Sequence, residues 1–407
     1  MKRNFFLLMT FLLAFAVVAA GCAPKLESGQ TANSGKTDAQ SSNSGTPSGG
    51  GEIPIGMGIS LTGGTALFGE GVKRGVELAI EDFNAAGGYN GQKAKLVMYD
   101  DEAKPEKSVE VIQKLINQDK VVALVGPANS GNAMAHGKIV QEAKIAEIVP
   151  VATGSKITKQ FADQDKNYIF RVSPLDSVQV STILEELVTK KGLKKIGLIH
   201  DTEGYGQGGR EDVVKQMKEK YSMEPAVISA FDPKELNLEQ AVRDMKKTGV
   251  EAVLFYGLAP QCAKLLEARN KEGLNVPIYA TWAMGDPTVK KLVGDLVNEN
   301  VFFVQSFTID QSDKAKAFHE RVVAKYKDDV FPIASAQGYD SAKLILEAIK
   351  KVGPDGQKIR DQIESFQDFE GVTAIGKTPF AKDNHEAFGP KDMSIATYKN
   401  GEVASVK

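Results

Sequence analysis

The sequence alternates short apolar segments with stretches of helical periodicity, and this alternation constrains the fold more than any other feature. In the first half, strand-like segments occupy 53–60, 95–99, 121–125 and 146–151. Segments 69–86 and 105–118 between them carry apolar residues at the spacing of one helix face. Continuous apolar strands separated by helices are typical of a parallel sheet covered on both faces.

The same alternation restarts about 140 residues later, where Ile196 takes the place of Ile55. The second set of strands is predicted at 195–200, 226–229, 252–256 and 277–280. Two long helices at 312–326 and 334–351 follow, and Asn400-Gly401 predicts a type I′ hairpin at the end. The fold class is therefore α/β with two doubly wound parallel sheets, whose ligand sites lie at the carboxyl ends of the strands.

The N-terminus has the pattern of a secretory signal. Lys2 and Arg3 precede an uncharged apolar run from Phe5 to Ala20, which is too short for a membrane-spanning helix of about 20 residues. Small residues lead to Cys22, and this ending resembles a bacterial lipoprotein signal, although Ala19 stands where that signal favours Leu. Residues 1–21 are therefore predicted to be removed.

The resemblance implies that Cys22 carries lipid and anchors the chain to the membrane, facing the extracellular or periplasmic side. The alternative is an incidental Cys22 and release of the protein. Residues 22–51 are predicted to be a flexible tether, because 23–51 hold six Ser and six Gly and one large apolar residue, Leu26.

Composition excludes several classes of protein. Fifty Lys and Arg balance 52 Asp and Glu, so the basic excess usual in nucleic-acid-binding proteins is missing. Two cysteines cannot build a disulfide framework or a four-thiolate zinc site, and the four histidines are scattered. We therefore expect no metal, no cofactor and no nucleic-acid partner.

One glycine pattern favours a different class, an exported NAD-dependent enzyme. Gly204, Gly206 and Gly209 fit G-x-G-x-x-G after a strand, and Asp232 follows the next strand. However, three residues separate the strand end from Gly204, whereas a pyrophosphate site needs the first glycine at the strand end. The pattern therefore favours a wide loop that opens a helix.

Two other loops favour a small anion. Ser130 and Thr153 each follow an apolar strand and precede a helix, so their hydroxyls and nearby amides should lie at helix N-termini. Two adjacent helix N-termini can hold a carboxylate without Arg or Lys. Helix capping is the alternative role for both residues.

A set of motifs, taken together, resembles the Leu/Ile/Val-binding protein family of ABC-transporter substrate-binding proteins. The motifs are Gly58–Gly64 with Gly69-Glu-Gly71, Asp82–Gly88, Tyr99–Asp101, Ile148–Thr153, Phe170–Pro174 with Asp176, and His200-Asp with Tyr205-Gly206. The resemblance implies a type I periplasmic binding protein fold, in which two lobes joined by three crossovers close on a ligand as a hinge. It implies a monomer that binds a solute, performs no catalysis and works with ABC permease subunits.

The resemblance also implies lobe boundaries. Lobe I would comprise 52–172 and 308–379, and lobe II 173–307 and 380–407. The three crossovers are expected near 171–174, 305–309 and 378–383.

The site residues implied by the resemblance come from both lobes. Ser130, with its neighbours Ala128 and Asn129, and Thr153 would hold the ligand carboxylate. The carbonyl of Val151 would meet the ammonium. Phe68 would supply the aromatic of the first loop, and Tyr205 that of the opposite lobe.

The departures from the family pattern concern the ammonium. An acidic residue is expected in the loop after 277–280, but Trp282 or Ala283 stands there, and Ala334 replaces a bulky aromatic. Two ligand hypotheses follow. In the first, the ligand is a branched-chain or other hydrophobic amino acid, with Glu203 or Asp286 as the replacement acid. In the second, it is an amine-free carboxylate, aliphatic or aromatic, that stacks on Trp282 or Tyr205 in a pocket enlarged at Ala334.

Overall fold

The computed structural model describes residues 51–406 apart from residues 235 and 374. The predicted signal peptide, the predicted lipidation site Cys22 and nearly all of the predicted tether lie outside these residues. Within the described part, no helix is both long and apolar enough to cross a membrane.

The first sheet has five parallel strands in the order β2-β1-β3-β4-β5. The strands are β1 Ile53–Ile59, β2 Ala94–Asp100, β3 Ala123–Val125, β4 Glu147–Val149 and β5 Ile169–Arg171. The intervening helices are α1 Ala66–Ala85, α2 Pro105–Asn117 and α3 Ser130–Ala143. These bounds follow the predicted alternation, but α1 begins three residues earlier than predicted, directly after Thr65.

The second sheet has seven strands in the order β12-β11-β10-β9-β8-β6-β7. Its strands are β6 Ile196–Asp201, β7 Val227–Phe231, β8 Ala252–Tyr256, β9 Ile278–Ala280, β10 Val301–Gln305, β11 Ser394–Lys399 and β12 Glu402–Ser405. Its helices are α4 Asp176–Leu184, α5 Gly204–Tyr221, α6 Glu239–Thr248, α7 Ala259–Glu272 and α8 Pro287–Val293.

The two sheets repeat one topology. The order β7-β6-β8-β9-β10 matches β2-β1-β3-β4-β5 strand for strand, so the predicted duplication of a βα module is confirmed. The second sheet adds the antiparallel hairpin β11–β12. Asn400 and Gly401 at its turn both have positive φ, 52° and 77°, as a type I′ turn requires.

Three helices after β10 return to the first sheet. They are α9 Asp313–Tyr326, α10 Pro332–Val352 and α11 Gly356–Glu364. Helix α10 lies against α1 at very short range, because a Cβ at Gly75 would come within 2.0 Å of the Ser335 carbonyl oxygen. We call the first sheet with α1–α3 and α9–α11 the first lobe, and the second sheet with α4–α8 the second lobe.

The chain passes between the lobes three times. The first two passages lie between β5 and α4 and between β10 and α9. The third was expected at 378–383, but Phe380 and Phe388 are buried in the core of the first lobe and β11 begins only at Ser394. Phe380 stays there because its ring packs 5.0 Å from that of Phe170 on β5, so the chain crosses after Phe388.

Candidate functional site

A small cavity lies between the lobes, where the carboxyl ends of strands from both sheets meet. Its volume is about 20 Å³, and with the solvent-open space at its mouth the empty region comes to about 300 Å³. The first lobe lines it with Thr65, Phe68, Ala128, Asn129, Ser130, Val151, Ala152 and Thr153, and the second with Tyr205, Leu258, Trp282 and Ala283. Eight of the nine predicted ligand-binding residues are therefore brought together.

Ser130 is the first residue of α3, at the end of the loop after β3. The Asn129 side chain caps this helix by accepting from the Gly131 N–H at 2.8 Å, so its oxygen is already engaged. The Ser130 Oγ accepts from the Gly154 N–H at 3.1 Å, which leaves its own proton free to donate. The loop thus presents a hydroxyl donor at the positive end of a helix.

The loop after β4 is held by hydrogen bonds from the first crossover. Ser173 Oγ donates to the Ala152 carbonyl at 3.0 Å, Asp176 N–H to the Thr153 carbonyl at 2.9 Å, and Arg171 Nη1 to the Gly154 carbonyl at 2.7 Å. No described residue donates to the carbonyl of Val151. Of the four consecutive carbonyls at positions 151–154, that of Val151 therefore keeps its full acceptor capacity among the described residues.

Arg171 is the centre of this support. Its side chain is fully buried and makes a two-point ion pair with Glu386, with Nε–Oε2 at 2.7 Å and Nη2–Oε1 at 2.6 Å. Its backbone also bonds to His385 and Ala387. One arginine therefore ties the cavity loop, the first crossover and the segment before the third crossover together.

Helix α1 and its N-cap each contribute one residue to the first-lobe wall. Phe68 was predicted, whereas Thr65 was missed by the sequence analysis. Thr65 is buried, and its Oγ1 has no hydrogen-bond partner among the described residues. The only sequence signal for it is a Thr at an N-cap position, where capping is the common role; here the hydroxyl makes no cap bond.

The second-lobe wall is aromatic and apolar. Tyr205 OH donates to Thr281 Oγ1 at 2.5 Å, and burial raises the pKa of this phenol well above its usual value. The Trp282 ring lies 5.1 Å from the Phe68 ring of the first lobe. Ser155 Oγ donates to Asp212 Oδ2 at 2.6 Å and is a further contact between the lobes, so the lobes are closed over the cavity.

Ala334 does not line this cavity. It lies in the first turn of α10, fully buried, and packs toward Gly71 of α1, where an added Cβ would come within 2.9 Å of the Ala334 Cβ. The aromatic that reaches this side is Phe331, just before α10, with its ring 4.6 Å from Phe68. The expected enlargement of the pocket at Ala334 is therefore absent from the described cavity wall.

Neither predicted replacement acid reaches the cavity. Glu203 is exposed at the N-cap of α5, and the Asp286 side chain caps α8 by accepting from the Thr288 N–H at 2.7 Å. Among the described residues that line the cavity, none is charged. One acid lies behind the wall: Asp176 is fully buried beside Thr153, and burial raises the pKa of its carboxyl to about 8.

The Gly204 loop is occupied by its own packing. A Cβ at Gly204 would meet Gly131 of the first lobe at 3.1 Å, one at Gly206 would meet the Asp201 carbonyl oxygen at 2.3 Å, and one at Gly209 the Tyr256 ring at 2.2 Å. Close neighbours therefore require glycine at 206 and 209, and Gly204 lies against the first lobe, so the loop backbone is already packed where a pyrophosphate would have to lie. The NAD-dependent alternative does not fit this loop.

Two further features bear on chemistry. Ser108 Oγ, the His136 ring and Glu147 form a hydrogen-bonded series, with 2.8 Å to Nδ1 and 2.9 Å from Nε2 to Oε1. All three are fully buried between α2, α3 and β4, so a substrate cannot reach the serine.

In residues 51–406 without 235 and 374, no group of three or more His, Cys, Asp or Glu could hold a metal ion.

Comparison with known proteins identifies the family. The periplasmic binding protein family model matches residues 52–402. An amino acid binding protein of Pseudomonas aeruginosa is 32% identical over 223 residues, which are 55% of this chain and 58% of that relative's length. The leucine-, isoleucine-, valine-, threonine-, and alanine-binding protein of the same species is 27% identical over 316 residues, covering 77% of this chain and 82% of the relative.

A solved structure agrees with this family in the fold of both lobes. It is the branched-chain amino acid transporter substrate binding protein LivJ from Streptococcus pneumoniae in complex with isoleucine. The TM-score is 0.75 at 27% identity, over 87% of this chain and 100% of that one. The chain therefore belongs to the periplasmic binding protein family, and it is a non-enzymatic substrate-binding protein of the ABC-transporter class.

Proposed function

We propose that this protein captures a small carboxylate-bearing solute, a branched-chain or other hydrophobic amino acid, by closing its two lobes over the cavity. The observation that carries the proposal is that two hydroxyl-bearing residues, Ser130 and Thr153, line one cavity at strand ends, with Ser130 at the N-terminus of α3. A carboxylate there would accept hydrogen bonds from both hydroxyls and from helix amides.

An amino acid as the ligand is supported by a free hydrogen-bond acceptor in the loop after β4, the loop that also carries Thr153. The Val151 carbonyl is uncommitted and adjoins the cavity, so it suits a ligand ammonium. Two relatives whose names state amino acid binding are similar to this chain, and so is the isoleucine complex from Streptococcus pneumoniae.

A second candidate ligand, an amine-free carboxylate, is favoured by one observation. No described residue that lines the cavity is acidic, so a bound ammonium would have only uncharged oxygens as partners. A buried charge without a counter-charge costs several kcal/mol. The Trp282 and Tyr205 rings would give an aromatic carboxylate an apolar surface to stack on.

We also propose that the protein is anchored to the membrane by lipid. Cys22 carries lipid after removal of residues 1–21, residues 22–51 form the tether, and the folded lobes deliver the solute to ABC permease subunits as a monomer. The lobes in this proposal are residues 52–172 with 308–379 and residues 173–307 with 380–407, and the crossing after Phe388 moves residues 380–388 into the first lobe. A test is membrane fractionation of cells that make Cys22→Ser, which should move the protein out of the membrane fraction.

The ligand proposal is tested by equilibrium binding to L-leucine, L-isoleucine, L-valine and benzoate. Binding of one of the three amino acids supports the first candidate, and binding of benzoate alone supports the second. Binding of neither class by protein that has been unfolded and refolded to remove carried solute would reject the carboxylate proposal.

A further inference from the structure

A buried hydrogen-bonded series runs behind the cavity, from the first-lobe wall to the second-lobe wall. The backbone N–H of Asp176 donates to the Thr153 carbonyl at 2.9 Å. Gln179 Nε2 donates to Asp176 Oδ1 at 3.2 Å, and Gln179 Oε1 accepts from the Trp282 N–H at 3.1 Å. Asp176 and Gln179 are both fully buried, one turn apart on α4.

We propose that Asp176 and Gln179 are positioning residues that set where Trp282 lies against the cavity and link that position to the Thr153 loop. Neither residue lines the cavity, so both act through others. Trp282 begins a short 3₁₀ turn after β9, and its N–H is held by the Gln179 amide rather than by a strand neighbour. Losing that amide leaves a buried donor without a partner.

The Gln179 amide is divided between two long hydrogen bonds. Its Nε2 donates to the Pro174 carbonyl and to Asp176 Oδ1, both at 3.2 Å. An ionised carboxylate attracts such a donor more strongly and draws it closer, to about 2.8 Å. Because the other end of the amide holds Trp282, a change of charge on Asp176 shifts the tryptophan.

Asp176 is able to change its charge under ordinary conditions. Its Oδ2 has no hydrogen-bond partner among the described residues, and burial raises the pKa of the carboxyl to about 8. The groups that face it are Thr153, Arg171, Tyr205, Tyr256, Asp201 and Asp212, of which Thr153 and Arg171 stabilise the charged form and the two carboxylates oppose it. Asp201 titrates nearby, because burial raises its pKa to about 7.

The chain supplies its own reporter, since Trp282 is its single tryptophan. The first test compares the fluorescence emission of ligand-free wild type with that of Gln179→Met, which keeps the volume but removes the amide. We expect a red-shifted emission maximum and binding of L-leucine or benzoate, whichever the wild type binds, weakened about tenfold. The matched control is Val180→Ala, equally buried on the same helix, which should lower the melting temperature without the emission shift.

The second test is a pH series from 6 to 9. Wild-type emission should change as the pH rises through about 8, whereas Asp176→Asn, which imitates the protonated acid, should keep only the change that belongs to Asp201. The inference would be overturned if Gln179→Met had the emission of wild type or if Val180→Ala showed the same red shift as Gln179→Met. It would also be overturned if the emission of Asp176→Asn changed with pH in the same way as that of wild type. It rests on the proposed function only for its binding readout, so if wild type binds neither probe, the emission tests still decide it.

Discussion

The two walls of the cavity are built differently. The first-lobe wall is polar and fixed: its loop after β4 is bonded through three successive carbonyls to the first crossover. The second-lobe wall is aromatic and apolar, and a single side-chain amide holds the start of its Trp282 turn. The difference suggests that the first wall recognises the carboxylate common to many solutes, whereas the second wall decides which solute is accepted.

The strongest test of the first wall removes both hydroxyls. We expect the Ser130→Ala/Thr153→Ala double variant to bind its ligand 10²- to 10⁴-fold more weakly, because each hydrogen bond to a charged group contributes about 1.5–3 kcal/mol. Isothermal titration calorimetry measures the change. The control is Ser181→Ala/Thr182→Ala on α4, away from the cavity, and wild-type affinity in the double variant would remove the carboxylate site from the account.

The support of the first wall is tested by Arg171→Met. We expect the free energy of unfolding to fall by about 3–5 kcal/mol, because Glu386 loses its buried partner. Ligand affinity should fall as well, since the Gly154 carbonyl loses its donor. Chemical denaturation measures the first effect, and Lys166→Met, which breaks an exposed pair with Asp361, should change stability by 1 kcal/mol or less.

The second wall is tested by adding the acid that it lacks. Ala283→Asp puts a carboxylate on the cavity wall, and we expect it to strengthen amino-acid binding about ten- to a hundredfold relative to benzoate. Competition binding gives the ratio. An acid introduced at Ala280 would disrupt β9, so Ala280→Asp cannot serve as the control. The control is Glu203→Gln, which changes an acid outside the cavity and should leave the affinity ratio unchanged.

A separate prediction concerns pH. Asp176 has a folded-state pKa of about 8 against an ordinary value of 3.8, so the folded protein holds its proton over that range. Its contribution to stability is complete below pH ~4 and is lost as the pH rises to about 8, with a slope of up to about 1.4 kcal/mol per pH unit. Asp176→Asn should remove this slope in thermal unfolding.

An opposite sign is expected for the half-buried carboxyl of Asp82. Burial acts to raise the pKa of Asp82, but its hydrogen bonds with Arg321 and Tyr339 prevail and lower it. Its stabilising contribution is therefore lost as the pH falls, and Asp82→Asn should flatten the acid side of the stability profile instead. Equal profiles for the two Asn variants would contradict the assignment of Asp176.

Sequence reasoning predicted what local pattern controls. Apolar strands and helix periodicity predicted the repeated βα module, and turn chemistry predicted the hairpin at Asn400-Gly401. Loops at strand ends and the family resemblance together placed Ser130, Thr153, Phe68, Tyr205 and Trp282, which the fold brings to one cavity.

What the sequence could not provide depends on pairs that are far apart along the chain. Arg171 and Glu386 are separated by 215 positions, and Gln179 and Trp282 by 103. No local pattern marks such partners, and Arg171 by itself looks like any strand arginine. Ala334 was misplaced for a related reason, since only the packing of α1 on α10 shows that Phe331, not Ala334, approaches Phe68.

The proposal that Ser130 and Thr153 bind a ligand carboxylate is tested most directly by a thermal-unfolding screen of refolded protein. The screen contains the twenty amino acids and a set of amine-free aliphatic and aromatic carboxylates. A ligand at 100 times its Kd should stabilise the protein by about 2.7 kcal/mol, which is visible as a raised melting temperature. We expect a carboxylate-bearing compound to raise the melting temperature of wild type but not that of the Ser130→Ala/Thr153→Ala variant. A raised melting temperature that both proteins share, or one produced only by solutes without a carboxylate, would contradict the proposal.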